Sequence, residues 1–339
     1  MSGRKKDLLQ FTDGGIYCPQ ADVYLDPRRK VKKALISHAH SDHARYGCES
    51  YLSSKESETA LRLRLGKSIN LSTVNYNEEI HINGVKFSFY PAGHIIGSSQ
   101  IRVEYKGEVW VYSGDYKLEN DGFSTPFESV KCHTFITEST FGLPVYRWKP
   151  QDEVFSEMNS WWKSNSEQGI CTVIVAYSLG KAQRILKHLD KSIGQVFTHS
   201  AITAMHSALR DSGFDLPPTV GISEKKISDY DVQGGLILVP PAATSAAWLR
   251  KHEPYATGIA SGWMGIRGSR RRMSVDRGFV LSDHADWPSL NRAVKDSGAE
   301  RVIVTHGYKS AFSKWLRELG YDSEASSSDY YSSAETEDQ

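Results

Sequence analysis

The segment Leu35-Ile36-Ser37-His38-Ala39-His40-Ser41-Asp42-His43 packs three imidazoles and a carboxylate into six residues, directly after the apolar run Ala34-Leu35-Ile36. A short apolar run bounded by polar loops reads as a buried strand, so the polar cluster is expected on the loop at its end. Alternation along that loop aims His38 and His40 at one cation and leaves Asp42 and His43 for a second. Imidazole with carboxylate suits zinc, manganese or iron, and a pair of such ions suits hydrolysis of phosphate esters. A structural zinc site would use closely spaced cysteine pairs. Cys18, Cys48, Cys132 and Cys171 are scattered instead and read as reduced thiols.

Four further polar residues follow apolar stretches in the same way. His94 comes after Lys86 to Tyr90, Asp115 after Glu108 to Tyr112, His284 after Gly278 to Leu281, and His306 after Arg301 to Val304. Strand-end loops that converge on one sheet edge are where α/β folds build sites.

With these residues in view, the chain resembles the metallo-β-lactamase superfamily, whose signature His38-Ala39-His40-Ser41-Asp42-His43 reproduces, and within it the nucleic-acid-processing β-CASP branch. Glu138 in Thr137-Glu138-Ser139-Thr140, His284 and His306 are similar to that branch's three additional motifs, and Asp26 to the aspartate preceding the signature. The wording Gly142-Leu143-Pro144-Val145-Tyr146-Arg147-Trp148 and Leu281-Ser282-Asp283-His284-Ala285-Asp286-Trp287-Pro288 is similar to that of bacterial ligase-associated DNA exonucleases. The resemblance covers roughly residues 8 to 320.

The resemblance, together with ligand chemistry, implies two divalent cations, zinc first and manganese as the alternative. His38, His40 and His94 are assigned to the first cation. Asp42, His43 and His306 are assigned to the second, and Asp115 bridges them. Asp26 is assigned to fixing a ligand tautomer, the alternative being an aspartate that sets the Asp-Pro turn. His284 is assigned as the acid facing the leaving oxygen and Glu138 as the group that orients it, so that Asp42, His284 and Glu138 form the catalytic set. The implied reaction is phosphodiester hydrolysis, with an exonuclease of DNA repair as the leading reading and a ribonuclease of the same branch as the alternative. The choice of DNA comes from the family wording alone. The implied partners are single-stranded or end-containing DNA and a DNA ligase or helicase of a repair system.

The implied fold class is α/β: a metallo-β-lactamase αββα sandwich with an inserted β-CASP-like α/β domain. The strand-rich part up to residue 148 and residues 277–321 are assigned to the sandwich. Residues 149–276 are assigned to the insertion, because strand-then-helix units alternate from Ile170 onward. Residues 322–339 read as a disordered acidic tail. Its six acids, unmatched by any Lys or Arg, mask a net charge of about +7 on the rest of a 339-residue chain of formal charge +1. Arg267, Arg270, Arg271 and Arg272 crowd one short segment before the His284 strand and are assigned to phosphate contact. Trp263 is assigned to base stacking, with a packed tryptophan as the alternative. Without an apolar leader or a span of membrane length, the chain is expected to be cytoplasmic.

Overall fold

The computed structural model describes residues 7–222, 230–243, 249, 253–266 and 275–327. Arg267, Arg270, Arg271 and Arg272 lie outside the described residues, as do 328–339 of the acidic tail. The chain divides into two compact units. One is built from the chain up to Pro144 and again from His284, the other from Val145–Asp283.

In the first unit, among the described residues, a six-stranded sheet runs in the order Gln10–Thr12, Gly15–Cys18, Val23–Leu25, Lys33–Leu35, Ser50–Ser54, Leu71–Val74. A seven-stranded sheet runs in the order Asp322–Ala325, Arg301–Gly307, Thr134–Ser139, Glu108–Tyr112, Ser99–Tyr105, Val85–Pro91, Ile80–Ile82. The strands Ser99–Tyr105 and Glu108–Tyr112 form a hairpin that turns at Lys106-Gly107, where both residues have positive φ as a tight two-residue turn requires.

Period-two alternation then sorts the second sheet's side chains into two cores. Trp110, Tyr112, Ile136 and Ile303 face the first sheet and meet Ile16, Val23, Leu25 and Leu35. Their neighbours Val111, Phe135, Val302 and Val304 point the other way, onto Leu290 and Val294 of helix Trp287–Ser297 and Phe312 and Leu316 of helix Lys309–Glu318. This two-sheet sandwich with a helical cover agrees with the expected fold class.

Among the described residues, the second unit carries a six-stranded sheet in the order Val220–Ile222, Val196–His199, Leu236–Val239, Cys171–Val175, Tyr255–Ala260, Arg277–Phe279, all parallel. Leu236–Val239 is buried at every residue, as a central parallel strand covered on both faces must be. Its odd and even residues enter two different cores. Trp162 is core here, its indole N–H donating to Gly234 O at 3.1 Å.

Two boundaries differ from the sequence reading. Residues 277–279 pair with Tyr255–Ala260, so that strand belongs to the second unit's sheet, and the chain passes to the first unit only after Asp283. The acidic tail is also not disordered from its first residue. Asp322–Ala325 forms a parallel edge strand on Arg301–Gly307, and Arg301 donates to both Asp7 and Glu324. The acids that suggested a solvated tail are partly there to pair with that arginine.

Candidate metal centre

The signature segment leaves the strand Lys33–Leu35 and folds back so that its polar residues are buried. His38, His40 and His43 are all at most 3% exposed. Asp115 arrives from the strand Glu108–Tyr112 after Gly114, whose φ is +55° and whose added Cβ would lie 2.8 Å from Ser37 Cβ. Only glycine allows that approach. His94 comes from the loop after Val85–Pro91.

Three imidazole nitrogens converge. His40 Nδ1 lies 3.1 Å from His38 Nε2 and 3.1 Å from His94 Nε2. One ring nitrogen carries at most one hydrogen, so mutual hydrogen bonding cannot satisfy all three, whereas a shared cation would. Asp115 Oδ2 lies 3.6 Å from His38 Nε2, 3.3 Å from His43 Nε2 and 4.0 Å from His94 Nε2. Ligand atoms of His38, His40, His94 and Asp115 form one group within 4.8 Å, and those of Asp42, His43 and Asp115 form another. Asp42 Oδ1 is buried with no hydrogen-bond partner among the described residues, the condition of a carboxylate oxygen shaped for a cation. The donor set therefore fits two divalent ions sharing Asp115.

Protonation is arranged to match. Burial, then the neighbouring His43, holds His38 well below the usual histidine value, with His40 and His94 adding to it and Asp115 opposing. A neutral ring is the ligand form. Burial alone would raise Asp115, but the charge and hydrogen bond of His43, then His284 and His38, hold its carboxyl well below the usual range. Asp42 is lowered in the same way, burial opposing and His43 prevailing.

Asp26 fixes the tautomers. Its carboxylate accepts the Ser37 amide at 2.7 Å, the Ser37 hydroxyl, Tyr112 OH at 2.9 Å and His43 Nδ1–H at 2.7 Å. His43 therefore keeps its Nε2 lone pair. With its own proton directed to Asp26, the Ser37 hydroxyl accepts from His38 Nδ1 at 3.0 Å, which frees His38 Nε2 likewise. Asp26→Asn, which also tolerates the residue's φ of +41°, is expected to weaken zinc binding by about 10- to 100-fold in a chelator-competition titration. Unchanged affinity would reduce Asp26 to a turn former.

Beside this cluster, His284 Nδ1 donates to Glu138 at 3.0 Å. Glu138 is itself fixed by the Tyr116 amide at 2.8 Å and the Thr140 hydroxyl. Asp115, Glu138 and His284 also fall within 4.8 Å of one another, which sets the pair against the cation site. His306 is the one assigned ligand that joins none of these groups. Thr137 pairs with Val304 but Ser139 with Gly307, so the strand Arg301–Gly307 carries an extra residue there. His306 lies in that bulge with a φ of +39°.

Trp263 is half-buried, its ring edge-on to Tyr146 at 5.8 Å. In the second unit, Asp283 is held by Lys181 Nζ and Arg184 Nη1, each at 3.2 Å. All three are buried. The sequence reading missed these and the orienting set Ser37, Tyr112, Tyr116 and Thr140. Ser37, Thr140 and Asp283 carried a signal, as members of the quoted segments themselves.

No protein-family model matches the chain. Over 311 residues, 91% of its length, it is 30% identical to a protein of Opitutus terrae named probable DNA ligase, 30% of which is covered. Over 123 residues, 36% of its length, it is 30% identical to endoribonuclease YSH1 of Eremothecium gossypii and 31% identical to cleavage and polyadenylation specificity factor 73 of Drosophila melanogaster, covering 16% and 18% of them. The chain thus spans less than a third of each of these curated relatives. A crystal structure of a protein of unknown function from Enterococcus faecalis matches with a TM-score of 0.57 at 12% identity, covering 80% of this chain and 74% of that one, a likeness of fold alone.

Proposed function

The chain belongs to the metallo-β-lactamase superfamily, within its β-CASP branch, and on that footing we propose that it is a metal-dependent nuclease, a DNA exonuclease acting in repair. The observation that carries this reading is the juxtaposition of two carboxylate-bridged ligand groups with the Glu138–His284 pair. When bound, two divalent cations, zinc or manganese, supply Lewis acidity toward a phosphodiester and acidify water at neutral pH. His38, His40, His94 and Asp115 would hold one, and Asp42, His43 and Asp115 would hold the other. His306 is proposed as a further donor from the sequence pattern only.

His284, locked at Nδ1 by Glu138, has its other ring nitrogen for delivering a proton to the leaving oxygen. Burial of the ligands excludes bulk water from the reacting centre. Arg267, Arg270, Arg271 and Arg272 are proposed to grip the substrate backbone, on their sequence position alone. Among the described residues no helix is long and apolar enough to cross a membrane.

The match along 91% of the chain to a protein named probable DNA ligase supports DNA, and association with a ligase. The endoribonuclease matches over 36% support the second reading, an RNA-processing nuclease. End-labelled DNA and RNA strands, incubated with the protein and zinc or manganese, separate the two. DNA shortening progressively from one end is expected. Internal cleavage of RNA with DNA intact would move the assignment to RNA, and metal-loaded protein that cuts neither would contradict a nuclease.

A further inference from the structure

We propose that the surface formed by Arg29, Lys30, Lys32, Lys33, Arg45 and Tyr46 is a binding platform for a single-stranded nucleic acid, which leads the strand toward the metal loop. The proposal rests on the nuclease reading of that loop and adds where the substrate runs on the first unit. Residues 28–50 contain six Lys and Arg against two acids, Asp42 and Glu49. Asp42 is turned into the metal cluster. Arg29, Lys30, Lys32, Lys33 and Arg45 are all exposed and form no ion pair among the described residues. Unpaired cations at this density repel one another, and a polyanion relieves that repulsion by releasing its counterions.

The platform is built rather than loose. Buried Tyr51 donates its hydroxyl proton to Arg45 O at 2.8 Å and accepts the Cys48 amide at 2.9 Å. Cys48 Sγ sits 3.9 Å from both Arg29 O and Arg45 O, so the two basic segments are drawn together. The stem of Lys30 fills the space over Gly47, where an added Cβ would lie 2.7 Å from Lys30 Cε. Lys30 thus packs on the residue that follows Tyr46. Tyr46, three residues after His43, is 70% exposed, the most exposed large hydrophobic side chain among the described residues. An aromatic face set among cations is the combination that binds single strands, phosphates on the charges and a base on the ring. The aromatic face separates this surface from a plain solvated basic run, which has no use for an exposed ring.

The test uses the full chain and a fluorescent oligothymidylate, with metal chelated so that binding is read without turnover. Anisotropy is followed over a salt series. Replacing Arg29, Lys30 and Lys32 together with alanine is expected to weaken binding at least 10-fold and to lower the log–log salt slope by about 0.7 per lost contact. Tyr46→Ala is expected to weaken binding by about 10-fold with the salt slope unchanged, and Tyr46→Phe to bind as the parent does. Hydrolysis of bis(p-nitrophenyl) phosphate by the metal-loaded variants should match the parent, and their melting temperatures should stay close to it. Parent-like affinity and salt slope in the triple variant would overturn the platform. Loss of small-substrate hydrolysis in that variant would also overturn it, by making the cations structural. Parent protein that hydrolyses neither substrate would instead overturn the nuclease reading beneath it.

Discussion

Asp115→Ala is expected to lower phosphodiester turnover by about 1,000-fold or more and to remove at least one divalent ion per chain. Asp115 Oδ2 faces His38, His43 and His94 within 4.0 Å, and the residue belongs to both ligand groups and to the group with Glu138 and His284. No other carboxylate among the described residues touches all three sets. Its loss leaves one group with imidazoles alone and the other with only Asp42 and His43. Charge stabilisation by such ions contributes several kcal/mol to a phosphoryl transition state, which is on the order of a thousandfold in rate. Turnover with metal analysis on the same preparation checks this. Near-parent rate with both ions retained would remove Asp115 from the centre.

His284→Ala is expected to behave differently. The ring is held by Glu138 and, in this reading, donates a proton instead of binding an ion. The variant should keep its metal content and lose about 100-fold in rate on DNA, the scale of general acid catalysis. A p-nitrophenolate leaving group needs no proton, so hydrolysis of bis(p-nitrophenyl) phosphate should fall far less. Equal losses on both substrates would point to a structural role for His284, and loss of an ion would make it a ligand. Glu138→Gln should repeat the pattern more weakly, since an amide can still accept from His284 Nδ1 but no longer stabilises its charged ring.

Much of this centre was legible in the sequence because it is local. Within His38 to His43, spacing alone brings the donors together, and apolar runs located the strands that deliver His94 and Asp115. The parts that were not legible depend on register between distant strands. His306 follows an apolar run as the others do, yet it sits in a bulge opposite Glu138, and no pattern within one strand reports a bulge in a pair. Strand 277–279 lies next to the His284 loop in sequence but pairs with Tyr255–Ala260. The tail composition was dominated by acids, and Arg301, 23 residues before Glu324, pairs with that acid on an ordered edge strand. Lys181 and Arg184 lie on a helix about a hundred residues before their partner Asp283.

The two-ion centre is tested most directly by calorimetric titration of the chelated full-length chain with zinc. Two equivalents per chain are expected, with phosphodiester turnover returning as the second site fills. Saturation at one equivalent, or full turnover before the second ion binds, would contradict a centre in which Asp115 joins two cations.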